Sequence, residues 1–382
     1  MMNHTDTDHV ERAAAHTIAE ITQQPRVWRQ VSNRAAAARD LTESLVAEQG
    51  LRIVLTGAGT SAFAGQVLAP GLRRGLRRRI EAVPTTDIVA NPVEAFGEDL
   101  PTLLVSFARS GDSPESVAAA QLADQLLSEV HHLVLTCNPE GQLAQRYSKD
   151  ERARVLLMPE EANDKGFAMT SSFTGMTLAA LLALDPSAEP TLAGRLSAIA
   201  DQVFPAWNKQ AGELVGHGYQ RLVYLGSGAL KGLAHESALK ALELTAGQIV
   251  ALGDSPLAFR HGPKSVLNDS TLVVMYLSND RHTRAYDLDV LDELRRSRGD
   301  EHVLAVTADH GDEVSAQSSW VLPDAADLSD AALALPAVLC AQLLALHSSL
   351  RLGLSVDNPF PSGEVNRVVQ GVRIHAFDNA AT

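Results

Sequence analysis

Two tandem α/β domains, each a doubly wound parallel sheet of the three-layer αβα, flavodoxin-like kind, are what this sequence predicts. Three observations lead there. Short, nearly continuous apolar runs recur at strand length, separated by segments long enough for a helix. The runs come in two series, offset by about 170 residues. The first run of each series ends in a Gly-x-Gly turn.

In chain order, a helical arm is expected over 1–48, a first domain over 49–204, a second over 205–365 and a tail over 366–382. The run 51–56 before Gly57-Ala58-Gly59 is echoed by 221–225 before Gly226-Ser227-Gly228. The run 103–107 is echoed by 272–276, 132–136 by 302–307, and 155–159 by 320–323. Runs that are apolar on both alternating faces belong to strands covered on both sides, as in parallel sheets. Alternating strands and helices imply right-handed crossovers. Asp185-Pro186-Ser187-Ala188-Glu189-Pro190 breaks a helix ahead of the connecting segment. Ligands of such sheets bind beyond the carboxyl ends of the strands, where the Gly- and Ser-rich loops fall.

The 382 residues suffice for two domains with cores of their own. A formal charge of −14 argues against nucleic acid, whose phosphates need a basic face. Cys137 and Cys340 are too few for a disulfide framework, and no metal-ligand spacing occurs. The segment 331–346 is apolar, but 16 helical residues reach about 24 Å, short of a hydrocarbon core of roughly 30 Å. It reads as a buried core or subunit-interface helix, with no membrane partner. The first residues lack a basic stretch followed by an apolar one, so no signal peptide is expected and the location reads as cytoplasmic. The run Arg73-Arg74-Gly75-Leu76-Arg77-Arg78-Arg79 reads as a solvated helix end or subunit contact.

The loops carry the first chemistry. Gly57-Ala58-Gly59-Thr60-Ser61 turns from a strand into a helix, where glycines admit an anion and the helix start offers N–H groups. Gly59, Thr60 and Ser61 are candidate contacts. The next strand runs into Arg109-Ser110-Gly111-Asp112-Ser113-Pro114, with Pro114 suited to a first helical position and Ser113 to the N-cap. Arg109, Ser110 and Ser113 are therefore candidate phosphate ligands. Thr170-Ser171-Ser172 reads as a helix cap or as a further hydroxyl cluster, with Ser171 as candidate. A dinucleotide fold is the rival reading. Ala62 fits its glycine fingerprint, but Gly226-Ser227-Gly228-Ala229-Leu230-Lys231 does not.

Beyond the second Gly-x-Gly turn, Glu236, Lys240 and Glu243 share one helix face at i, i+4, i+7. Spacing alone leaves two readings, a solvated Glu–Lys stripe or a buried row in use. His261 precedes a Gly262-Pro263 turn between Arg260 and Lys264, a setting that suits an acid–base group.

Together, the Gly-Thr-Ser turn, the Arg-Ser-Gly-Asp-Ser loop, the Glu236–Lys240–Glu243 helix and the His261-Gly262-Pro263 turn resemble SIS-domain sugar-phosphate isomerases. The resemblance spans nearly the whole chain. Ser106-Phe107-Ala108-Arg109-Ser110-Gly111, Leu257-Ala258-Phe259-Arg260-His261-Gly262-Pro263-Lys264-Ser265 and Val356-Asp357-Asn358-Pro359-Phe360-Pro361-Ser362-Gly363 point to one branch, the galactosamine-6-phosphate deaminases and tagatose-6-phosphate ketose/aldose isomerases. By likeness to the isomerase domain of glucosamine-6-phosphate synthase, phosphate would be held by Ser61, Arg109, Ser110 and Ser113. Glu243 would be the base between C1 and C2, with Glu236 and Lys240 beside it. His261 would open the sugar ring from across a dimer interface, and Arg367 aligns with a C-terminal lysine. No cofactor is implied.

Two departures stand out. Ala108 and Arg109 replace a Ser and a Gln of the synthase, and a guanidinium at 367 cannot form a Schiff base. The chain shows no N-terminal Cys or glutaminase domain, which favours release of free ammonia over glutamine-fed synthesis. The resemblance thus implies conversion of galactosamine-6-phosphate to tagatose-6-phosphate and ammonia. Plain ketose/aldose isomerisation, deamination of glucosamine-6-phosphate or a fructosamine phosphate, and a non-catalytic sugar-phosphate sensor stay open.

Overall fold

The computed structural model describes residues 13–311, 314, 318–369 and 371–378. A long helix α1 (Ala15–Ala47) leads into β1 (Arg52–Thr56), α2 (Thr60–Leu76), β2 (Ile80–Ala82), α3 (Thr85–Ala90), α4 (Pro92–Phe96) and β3 (Thr102–Ala108). There follow α5 (Pro114–Leu126), β4 (Val130–Thr136), α6 (Gln142–Tyr147), β5 (Ala153–Leu157) and α7 (Ser171–Leu184). After α8 (Leu192–Val215) the pattern recurs: β6 (Arg221–Gly226), α9 (Ala229–Leu244), β7 (Val250–Asp254), α10 (Pro256–Phe259) and β8 (Thr271–Tyr276). The last elements are α11 (Arg281–Arg298), β9 (Val303–Ala308), β10 (Ser319–Leu322) and α12 (Asp330–Arg351). Residues 1–12 of the expected arm lie outside the described residues.

The strands form two five-stranded sheets, ordered β2-β1-β3-β4-β5 and β7-β6-β8-β9-β10, with all pairs parallel. The duplication holds to the residue: Arg52 faces Thr102 in the first sheet as Arg221 faces Thr271 in the second. Alternation across the strands explains their continuous apolarity. Ile53 and Leu55 of β1, with Leu222 and Tyr224 of β6, enter one central core shared by both halves. Val54 belongs to the outer core of the first sheet, and Val223 and Leu225 to that of the second.

Two strands escape the sequence reading, and both are sheet edges. β2 has only three residues directly after the basic run, and β7 is half-exposed. Gly253 in β7 is required by packing, because a Cβ there would lie 2.5 Å from the Ala234 carbonyl oxygen.

Every residue of α7 is buried, and α12 is buried from Ala331 to Leu346. α12 is long and apolar enough to cross a membrane, yet it packs on α8 and α9 inside the protein. Each leucine so buried contributes about 1.5–3 kcal/mol. The basic run closes helix ends. Arg78 donates to the Val46 and Ala47 carbonyls at the end of α1, and Arg73 donates to the Ile80 carbonyl.

Candidate active site

At both Gly-x-Gly turns the backbone demands glycine. Gly59 has φ 55° and Gly228 φ 57°, a region that side chains disfavour. A Cβ on Gly57 would lie 2.6 Å from the Ser61 backbone carbon, and one on Gly226 2.4 Å from the Leu230 oxygen. Both turns thus present a helix N-terminus in the same way, and chemistry separates them. Where the first repeat has Thr60 and Ser61, the second has Ala229 and Leu230, which offer no hydroxyl.

The second loop of each repeat sharpens the contrast. α5 starts at Pro114 behind Ser113, whose hydroxyl makes no capping bond. α11 is capped by the Asp280 carboxylate, which accepts the His282 and Thr283 N–H groups at 3.1 Å. Asp287 accepts the Ser227 hydroxyl at 2.6 Å and the Ser278 N–H at 3.0 Å. Asp330 accepts the Ser278 hydroxyl at 2.6 Å and the Asn279 N–H at 2.7 Å. In the second repeat Ser227, Ser278, Asn279, His282 and Thr283 thus give donors to the chain's own carboxylates, whereas no carboxylate caps α5 in the first among the described residues. An anion is therefore expected at the first repeat alone. Calorimetric titration with a phosphosugar is expected to saturate at one molecule per chain; two would contradict this account.

Arg109 is the cation of the open site. The residue is 7% exposed; Nη2 donates to the Arg367 carbonyl at 3.0 Å, and Nη1 is buried with no partner among the described residues. A buried guanidinium nitrogen without an acceptor costs free energy until an anion arrives. The loop behind it is fixed by Asn138, just past β4, whose amide donates to the Ser110 carbonyl at 2.9 Å and to Asp112 at 3.3 Å. Asn138 was not among the sequence candidates; a polar residue directly beyond a strand's carboxyl end is the signal that marks it. Arg367 returns from the C-terminal segment and donates to the Asp164 carbonyl. Burial first, and the Arg109 cation second, lower its pKa. Its hydrogen bonds place it on the Arg109 side of the site rather than beside Glu243.

Of the two places the sequence allowed it, Ser171 takes the one at a helix start. It is fully buried; its hydroxyl donates to the Glu20 carbonyl at 2.6 Å and accepts from Gln23 at 3.1 Å. The Asp164 carboxylate caps the start of α7 by accepting the N–H groups of Thr170, Ser171 and Ser172 at 2.9 Å. Asp164 thus caps α7, and the Ser171 hydroxyl ties the helix start to α1 instead of facing a ligand. The capping aspartate lies six residues before Thr170, too far for a local capping pattern to reveal it.

On α9 the structure decides between the two readings of the acidic stripe. Glu236 and Lys240 are fully buried, and the Glu243 side chain is 24% exposed. Lys240 Nζ lies 2.5 Å from Glu243 Oε2, 2.9 Å from Thr60 Oγ1 and 3.4 Å from Glu236 Oε1. Burial alone would lower the Lys240 pKa, but the two carboxylates outweigh it and raise it, so the group stays an ammonium. Neither oxygen of Glu236 has a hydrogen bond of ordinary geometry, and burial pushes its pKa up to about 8. Burial thus shifts Glu236 towards its neutral form, and the ammonium lies closest to Glu243. Thr60, expected as a phosphate ligand, accepts from Lys240 and so joins the first repeat's loop to this group.

His261 lies in the turn after α10, exposed, and makes no side-chain hydrogen bond among the described residues. Its cationic neighbours are engaged elsewhere, since Arg260 (at 2.5 Å) and Lys264 both pair with Glu293 of α11. They hold the loop rather than tune the imidazole. The C-terminal motif also has a structural task. Asp357 accepts the N–H groups of His16 at 2.9 Å and Thr17 at 2.8 Å, capping α1.

The family model of the SIS domain matches residues 45–185. The D-galactosamine-6-phosphate deaminase AgaS of Escherichia coli is 46% identical over 369 residues, covering 94% of this chain and 96% of its own. A Streptomyces coelicolor protein provisionally given the same name is 57% identical over 376 residues, covering 97% of this chain and 98% of its own. Among solved structures, tagatose-6-phosphate ketose/aldose isomerase from Escherichia coli superposes with a TM-score of 0.85 at 41% identity, covering 96% of this chain and 99% of that one.

Proposed function

This chain belongs to the SIS-domain family of phosphosugar isomerases and deaminases and is an enzyme, and we propose that it converts galactosamine-6-phosphate and water to tagatose-6-phosphate and ammonia. One observation carries the reading. Lys240 bridges Thr60 of the anion loop to Glu243, so a carboxylate base and a phosphate grip from different repeats form one site.

In this mechanism the phosphate sits at the first-repeat loops, held by Arg109, Ser61, Ser110, Ser113 and the start of α5. The ring opens with His261 as proton carrier. Glu243 removes the C2 proton, leaving an enolamine, and returns it to C1, which leaves an imine at C2. Water adds to that imine, the C–N bond breaks, and ketose and ammonia leave. One carboxylate serves both carbons, and the Lys240 ammonium offsets charge that develops beside it. Because His261 is exposed and unbonded within one chain, the reading makes the active form a homodimer in which His261 reaches the partner's site. It also places the enzyme in the cytoplasm.

The name of the Escherichia coli structure supports a second reading, plain interconversion of tagatose-6-phosphate with its aldose. Incubation with galactosamine-6-phosphate and with glucosamine-6-phosphate separates the cases. Ammonia and ketose phosphate in equal amounts from the galacto sugar is the expected result. Tagatose-6-phosphate turnover without ammonia would establish the plain isomerase. Ammonia from the gluco sugar alone would reassign the substrate, and tight binding with no turnover would make the protein a sensor.

A further inference from the structure

Ser61 of the proposed grip and Thr60 stand at the start of α2 and the base on α9, so the separation of that end of the grip from the base depends on how these two helices pack. They run antiparallel along one continuous seam. At one end Gly232 lies against the Gln66–Val67 backbone; a Cβ there would fall 2.6 Å from the Val67 nitrogen and 2.7 Å from the Gln66 carbonyl carbon. In the middle, His235 Nδ1 and Gln66 Oε1 are 2.7 Å apart, and the His235 ring lies 5.7 Å from that of Phe63. At the other end Lys240 donates to Thr60 at 2.9 Å. The seam thus has a backbone contact at one end and the reacting group at the other.

We propose that Gly232, Gln66 and His235 are positioning residues that set the distance between Glu243 and the bound phosphate, acting through the α2–α9 seam. None of them needs to touch substrate. Gly232 permits the approach, since a Cβ would meet backbone atoms that cannot rotate away and the helices would have to part. The His235–Gln66 hydrogen bond fixes the sliding register of the two helices. Burial and the nearby Lys231 lower the His235 pKa, which keeps the imidazole neutral at neutral pH. Its Nδ1–H then donates to the Gln66 oxygen. A phosphosugar held between the Arg109 loop and Ser61 at the start of α2 therefore presents C2 to Glu243 in register only while this seam is closed, and a misplacement of about 1 Å costs up to roughly 100-fold in rate.

The inference rests on Glu243 being the base, and the test keeps the two apart. Gln66→Leu removes the acceptor at nearly constant volume, Gln66→Glu keeps an acceptor oxygen within the same reach, and Gly232→Ala wedges the seam. The expected result is a kcat lowered about 10- to 100-fold in Gln66→Leu and Gly232→Ala. Inorganic phosphate affinity should stay within about twofold of wild type, and kcat should recover in Gln66→Glu. Unchanged kcat in Gln66→Leu overturns the proposal, as does loss of kcat and phosphate binding in equal proportion. If wild type turns over no phosphosugar, the base assignment falls, and crystal structures of the variants judge the seam alone. A Gly232→Ala structure that keeps Thr60 and Lys240 at hydrogen-bond distance overturns it.

Discussion

Glu243→Gln is expected to lower kcat by at least about 10²- to 10⁴-fold, the range a positioned general base supplies, with phosphosugar binding almost unchanged. The substitution keeps the size of the side chain and removes its capacity to take the C2 proton. Binding survives because the phosphate ligands sit on the other repeat, at Ser61 and the Arg109 loop. Lys240 keeps an amide oxygen as acceptor, and its charge becomes less well compensated in a fully buried position. The measurement is single-turnover ammonia release alongside calorimetric binding of the same sugar. Loss of binding in step with turnover would assign Glu243 to the grip and move the base elsewhere, with Glu236 as the next carboxyl on the helix.

Arg109→Ala is expected to act in the opposite way, raising KM strongly and changing kcat little. The buried, unpartnered Nη1 is the clearest vacant donor in the first-repeat cleft. A hydrogen bond to a charged group is worth about 1.5–3 kcal/mol, and each 1.4 kcal/mol is tenfold in affinity. KM for the phosphosugar and Ki for inorganic phosphate should therefore rise together by roughly 10- to 100-fold. Arg109→Lys should fall between, because an ammonium keeps the charge but cannot serve the phosphate and the Arg367 carbonyl at once. If Arg109→Ala leaves Ki for phosphate unchanged, the phosphate sits elsewhere, and Arg109 serves only to hold the C-terminal segment.

Much of the molecule was legible in the order of its residues. The paired apolar runs located eight of the ten described strands, because a parallel strand covered on both faces leaves a strong local mark. β2 and β7 left none, since edge strands are short or half-exposed and need only one neighbour. In the site, Arg109 and the Ser113–Pro114 helix start could be placed from local chemistry. Ser171 could not, because its partners on α1 lie about 150 residues away in sequence. Nor could Asn138, which locks a loop that precedes it by a full helix and strand.

Spacing put Glu236, Lys240 and Glu243 on one helix face but left their role undecided, since the same row serves a wet surface or a buried site. Burial decided it. Packing of α9 against α2, α12 and the second sheet removes water from Glu236 and Lys240, which raises the Glu236 pKa and leaves the ammonium 2.5 Å from Glu243.

By itself, then, the sequence determined what local periodicity and residue type can determine: a duplicated α/β chain, Gly-rich turns that admit an anion, and the residues able to do acid–base work. The tertiary structure alone decided which loop gives its donors to the chain's own carboxylates, because Asp287 and Asp330 reach Ser227, Ser278 and Asn279 only through the fold. It also decided that Thr60 serves Lys240. Those outcomes depend on desolvation and on contacts between distant segments, and neither is written in any local stretch of sequence.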